Sequence, residues 1–224
     1  METSKIKQMT TMAMLAALAF LVMLVGRIPM VAAAPFLKYD PKDIIIVIGG
    51  FIYGPLAAFM ISLVVSIIEM VTVSDTGIIG AIMNLVSTCS FACLAAIIYK
   101  KNHTIKGAVI GLLAGTGLMV VVMLLWNYLL TPLYMGYPRD AVGAMLVPVF
   151  LPFNLLKGGL NAAITMLLYK PVVKTLRKIG LAPRSAAGVS GEKDTKKVGP
   201  AVMLAAALVL ATCILFALML AGVL

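Results

Sequence analysis

Charge is scarce in this sequence. Asp, Glu, Lys and Arg make up 12% of its 224 residues, whereas 62% are hydrophobic. Soluble domains carry about 25% charged and 45–50% apolar residues. A chain this apolar, with a mean hydropathy of +1.11, cannot hide its surface within itself, so lipid is part of its solvent. Histidine occurs once, as His103 in a polar loop, so no imidazole is available inside an apolar run. Gly188-Val-Ser190-Gly191 has the look of an intramembrane serine protease motif, but it lies in a hydrophilic stretch without a base, and a serine without a base is a weak nucleophile. No paired aspartates lie in the apolar runs, which excludes the aspartyl counterpart. No Gly-x-x-x-x-Gly-Lys-[Ser/Thr] loop is present, so the chain does not power itself with ATP. The three cysteines, Cys89, Cys93 and Cys213, all sit in apolar runs without acidic or histidine neighbours at ligand spacing, and read as small buried residues.

What is present is a series of long apolar runs without alternation, which points to membrane helices and excludes a barrel. The expected fold is all-α: a polytopic bundle of six core spans over residues 1–178, a charged linker over 179–199 and an additional C-terminal span over 200–224. The core runs cover 9–31, 44–53, 56–73, 78–99, 107–133 and 142–169. The second of these is too short to cross upright and is broken from the third by Gly54-Pro55. Lys5 and Lys7, the apolar stretch 12–25 and Ala32-Ala33-Ala34 have the outline of a secretory signal, but the run is long enough to span, and Pro35 disfavours cleavage; a retained first helix is expected. The formal net charge of +10 lies mostly in short gaps between runs, as orientation signals do, rather than in a nucleic-acid patch. Those gaps place the N-terminus in the cytoplasm, with Arg27, Lys38, Lys42 and Arg139 outside, and seven spans then put the C-terminus outside.

Two ionisable residues stand clearly within apolar runs, Glu69 and Lys157. Such residues usually face a cavity or a partner. Glu69, near the outer end of its run, reads as equally well solvated. Asn154, Lys157, Gly158 and Asn161 fall on one helical face, offering amides and one ammonium beside a glycine that lets a ligand approach. That face suits a flat ligand with polar edges. A polar seam between helices is the plainer alternative, but a seam has no need of the lysine. Asn127 lies among aromatics near the outer end of the fifth run, where Trp126 and Tyr128 have the pattern of an interfacial belt. Asn84 has no close polar neighbours in sequence. Ala13-x-x-x-Ala17 is a small-xxx-small pattern that spacing alone assigns to internal packing.

Five blocks, in order, resemble a known family. They are Phe36-Leu-Lys-Tyr-Asp-Pro-Lys-Asp-Ile44, Ile48-Gly-Gly-Phe-Ile-Tyr-Gly-Pro-Leu-Ala57, Gly77-Ile-Ile-Gly-Ala-Ile-Met-Asn84, Asn127-Tyr-Leu-Leu-Thr-Pro-Leu-Tyr134 and Pro152-Phe-Asn-Leu-Leu-Lys-Gly158. Over about residues 5–178 the chain resembles the riboflavin-specific S components of energy-coupling factor (ECF) transporters, the RibU family. The resemblance implies a multi-pass plasma-membrane subunit that is not an enzyme and needs no cofactor. It would take riboflavin from outside as its transported ligand. It would hand it inward with a transmembrane T component and two ABC-type ATPase subunits. Asn127, Asn154 and Lys157 would hydrogen-bond the ligand; Lys38, Asp40, Asn84 and Tyr134 complete the implied site, with the segment from Lys38 to Asp43 lying over it as a gate. Ala13 and Ala17 would dock on the T component. Two features depart from the family pattern: Glu69-Met70 stands where a Lys-Asn pair is expected, and the last span is outside the six-helix plan. An S component for another vitamin, or a stand-alone membrane enzyme or scaffold, are the other readings open at this point.

Overall fold

The long runs fold as helices, as their length and the lack of water to satisfy an open backbone require. The computed structural model describes residues 2–32, 34, 36–74, 76–181 and 200–221. Helix α1 (Glu2–Gly26) leads into a two-residue antiparallel pair, β1 (Ile28–Pro29) and β2 (Lys38–Tyr39), in which Ile28 faces Tyr39 and Pro29 faces Lys38. Then follow α2 (Lys42–Tyr53), α3 (Pro55–Thr72), α4 (Gly77–Lys101) and α5 (Ile105–Met135). The sixth expected run is a composite: α6 (Arg139–Met145), a π turn (Leu146–Phe150) and α7 (Leu151–Lys178). Pro148 and Pro152 lack the N–H groups that an α-helical ladder needs there, which accounts for the wider turn. Helix α8 (Pro200–Leu220) closes the chain. Of the expected linker, 182–199 lies outside the described residues.

Among the described residues, six stretches are long and apolar enough to cross a membrane: α1, α3, α4, α5, the α6–α7 composite and α8. Helix α2 is not among them. Its twelve residues rise about 18 Å, against a hydrocarbon layer of about 30 Å. It is nonetheless the centre of the bundle, with every residue from Lys42 to Ile52 buried. Gly49 and Gly50 allow this. A Cβ on Gly49 would meet Ile61 Cδ1 at 2.7 Å, and one on Gly50 would meet the Cβ of Ala58 at 2.9 Å and of Ala96 at 3.0 Å. Gly54, at φ 96°, turns the chain from α2 into α3, a conformation that suits glycine. The loop carrying β1 and β2 fills part of the depth that α2 leaves open.

Leu56, Val71, Leu113, Val121 and Val147 remain exposed on the outside of the bundle, as a lipid-facing surface requires. Helix α8 lies outside the bundle against α7: Leu210, Cys213, Ala217 and Leu220 pack on a cluster that includes Met30, Leu37, Phe150 and Phe153. The Ala32 amide donates to the Leu220 carbonyl at 3.2 Å, so the C-terminal end of α8 meets the loop after α1.

Candidate functional site

Above the N-terminal end of α2 the interior is ionic. Three cations, Arg27, Lys42 and Lys157, face three carboxylates, Asp40, Asp43 and Glu69. Five of the six are fully buried, and the Arg27 side chain is 22% exposed. An isolated charge at this depth is strongly disfavoured, so each is held by a partner. Lys42, at the first turn of α2, ion-pairs with Glu69 of α3. Glu69 Oε1 also takes Arg27 Nη2 at 3.3 Å and the Asn84 amide of α4 at 3.0 Å. Arg27 Nε lies 3.2 Å from Asp40 Oδ1, but not in line for a hydrogen bond, so that contact is Coulombic. The second group centres on Asp43. It accepts from Thr88 Oγ1 at 2.6 Å and from Asn161 Nδ2 at 3.1 Å, with Lys157 Nζ at 3.4 Å. Tyr39 donates to Asn161 Oδ1 at 2.9 Å. Burial, reinforced by the negative charges of Asp43 and Asp40, pushes the Tyr39 hydroxyl well above its ordinary value and keeps it a donor. Burial also raises the Asp40 carboxyl; Lys42, Lys157 and Arg27 oppose that rise and Glu69 adds to it.

Against this cluster lies a cavity of about 110 Å³. Arg27, Phe36, Leu37, Lys38 and Asp40 line it from the loop; Thr76, Gly80, Met83, Asn84 and Ser87 from the start of α4; Met123 and Asn127 from α5; and Phe153, Asn154 and Lys157 from α7. One side is apolar and partly aromatic, and the other presents amides and charge, the composition that orients a small organic ligand. Several of the polar groups are fixed from behind. Asn127 Nδ2 donates to Met123 O at 2.7 Å, and its Oδ1 accepts from Thr131 at 3.2 Å. Asn154 Nδ2 donates to Phe150 O at 2.7 Å. Among the described residues no donor reaches the carboxamide oxygen of Asn84 or Asn154. Both can accept from a ligand, while Lys157, 3.4 Å from Ser87 Oγ, can donate.

Six residues expected at the site from sequence, Asn127, Asn154, Lys157, Lys38, Asp40 and Asn84, line this one cavity. The Tyr134 side chain lies outside the described residues. Ala13 and Ala17 are on the exposed face of α1, whereas Ala16 and Ala19 face inward, so the Ala13-x-x-x-Ala17 face does not serve internal packing. Several expectations are corrected. Glu69 is not solvated: it is 2% exposed, at the centre of one ionic group. Lys42 and Asp43 are not part of a lid, because both are fully buried in the first turn of α2 and support the cavity from below. Gly158 does not make room for a ligand; a Cβ there would meet Thr116 Cγ2 at 2.4 Å, so it allows α7 to approach α5. Asn84, without polar neighbours in sequence, has Glu69 as its partner. Arg27, read only as an outer-face charge, is a wall residue. No sequence motif marks these partners; the one available signal was the run of Lys42-Asp43 directly into the apolar 44–53, which is how a helix with an acidic first turn begins.

Residues 7–169 match the family model for the ECF transporter substrate-specific component. The chain is 29% identical over 185 residues to the riboflavin transporter FmnP of Bacillus subtilis (strain 168), covering 77% of this chain and 97% of that one. It is 28% identical over 180 residues to the riboflavin transporter RibU of Staphylococcus aureus (strain TCH60), covering 77% and 94%. Among solved structures it resembles one described under "Structure and mechanism of the S component of a bacterial ECF transporter", with a TM-score of 0.66 and 28% identity over 77% of this chain and 99% of that one.

Proposed function

The chain belongs to the family of ECF transporter substrate-specific components, and on that premise we propose that it binds riboflavin from outside the cell and passes it inward with a T component and two ATPase subunits. The observation that carries this reading is that Asn127, Asn154 and Lys157, from two helices, converge with Asn84, Lys38 and Asp40 on one hollow. Phe36 and Phe153 offer ring faces for an isoalloxazine. Asn84, Asn154 and Lys157 offer acceptors and a donor for its imide edge or ribityl hydroxyls, and Asn127, Lys38, Asp40 and Tyr134 complete the set. The site has no catalytic step and no resident cofactor; the flavin is cargo.

A cavity of about 110 Å³ is smaller than the roughly 300–1,000 Å³ of ligand pockets. The loop with β1 and β2 therefore moves outward to admit the ligand and returns over it. The N-terminus is cytoplasmic and the C-terminus outside. Lys100, Lys101, Lys106, Lys170 and Lys174 gather at the end opposite the cavity, and the end of α8 meets the loop that covers it. Helices α1 to α7 form the substrate-binding core and α8 is an addition, since the family match ends at residue 169. Ala13 and Ala17 give the T component a close approach on α1.

The test is direct titration of the purified, ligand-free protein with riboflavin. Binding tighter than millimolar is expected, and none would remove the reading. Lys157→Ala and Asn154→Ala should each weaken binding by at least roughly tenfold, the size of a lost buried hydrogen bond to a charged or amide group. Unchanged affinity in both would remove the site.

A further inference from the structure

The cavity wall is not electrically balanced by itself. Of the six-member ionic cluster it carries Arg27 and Lys157 against Asp40. The balance is restored from the layer behind. Asp43 stands behind Lys157 at 3.4 Å, and Glu69 behind Arg27 at 3.3 Å. Neither Asp43 nor Glu69 lines the cavity, and neither does Lys42, which ion-pairs with Glu69. With all six members of the buried cluster ionised, three positive and three negative charges cancel.

We propose that Glu69 is the residue that sets the charge selectivity of this cavity, suiting it to an uncharged polar ligand over an anionic one. Its carboxylate joins three elements. It holds Lys42 of α2, Arg27 directly after α1 and the amide of Asn84 on α4. Two of those three are wall residues, so Glu69 acts on the ligand through them, as a positioning residue. Without its charge, Arg27 keeps the misaligned contact to Asp40 and a long bond to the Val73 carbonyl at 3.5 Å, Lys42 has no other carboxylate within ion-pair distance among the described residues, and the cluster becomes net positive. Buried charges are little screened by salt, so this surplus would be felt across the cavity. Arg27 is also the most accessible of the cluster, and its fork is the geometry that takes a phosphate.

The inference rests on the flavin reading above, and riboflavin with its 5′-phosphate ester is a ligand pair that differs only in the charged phosphate at one end. The quantity to measure is the ratio of the two dissociation constants, phosphate ester over neutral flavin, for the detergent-purified full chain. Glu69→Gln is expected to lower that ratio by roughly tenfold or more, the effect of one uncompensated charge at effective dielectric about 20. Lys42→Met, which removes the opposite charge behind the same wall, is expected to raise it. The double variant Lys42→Met/Glu69→Gln restores the charge count and should return the ratio to that of the parent. A ratio unmoved by Glu69→Gln, or a double variant that stays shifted like the single, overturns the proposal. Where Glu69→Gln does not fold, Lys42→Met decides, and an unmoved or lowered ratio there overturns it equally. Parent protein that binds neither flavin would defeat the flavin reading; parent protein that binds riboflavin while the ratios stay put would defeat only the role of Glu69.

Discussion

The two ends of the bundle are built from opposite materials. The end that holds the cavity has six clustered charges, five of them buried, and a set of amides whose orientations are fixed by backbone carbonyls and a carboxylate. The other end is closed by rings. Phe51 lies 4.5 Å from Tyr99 and 5.5 Å from Tyr169, Tyr99 and Tyr169 are 5.8 Å apart edge to face, and His103 meets Tyr99 at 5.3 Å. Tyr53 donates to the Leu181 carbonyl, and Thr11 reaches the same oxygen at 3.2 Å. A ligand in the cavity thus has the core of α2 and an aromatic seal beneath it. The contrast teaches how the chain divides its work: the polar end holds the cavity, and the aromatic end closes the packed core beneath it.

If the ends are as different as this, substitutions at each should separate binding from stability. The largest effect is expected for Asp43→Ala, which leaves Lys157 buried without its carboxylate. Stability in detergent should fall by about 3–5 kcal/mol, the cost of breaking a buried pair from one side, and riboflavin affinity should fall with it. Phe51→Ala at the sealed end should cost a similar or slightly smaller amount, about 3 kcal/mol, yet leave affinity within about twofold once the protein is held below its unfolding temperature. An affinity loss as large as that of Asp43→Ala would erase the distinction between the ends. Tyr99→Phe removes the hydroxyl contact to Tyr169 and should lower the unfolding free energy by about 1 kcal/mol, with unchanged binding.

The smallest effect concerns pH. Burial holds the Asp40 carboxyl above its ordinary value of 3.8, so the folded chain takes that proton more readily than the unfolded one. The stability that this group contributes is therefore greatest in acid, and it declines as pH rises through the window between 3.8 and the raised value. Compared with Asp40→Asn, the parent should gain a little thermal stability as the buffer is acidified towards that window. A loss relative to Asp40→Asn would reverse the sign assigned here.

How far the sequence reaches is itself uneven along the chain. The spans were legible because apolar length and charged gaps are local signals, and α2 was recognised as too short to cross. The face with Asn154, Lys157 and Asn161 was legible because helical spacing sets it, and it is indeed where the wall and the layer behind it meet. What local pattern could not supply is pairing across the fold. Lys42 finds Glu69 at a separation of 27 residues and Asn161 finds Asp43 at 118. Lys42 and Asp43, read as loop, become the first turn of a buried helix only because those partners are in place. Gly158 misled for the same reason: a glycine on a polar face looks like room for a ligand until Thr116 of another helix is found against it.

Helix α2 leaves a remainder. Its twelve residues account for about 18 Å of a layer about 30 Å thick, and the hollow sits in the roughly 12 Å left over. Capacity in this molecule is thus a subtraction. A cylinder two turns longer would be a sounder pillar and would have nowhere to put a vitamin.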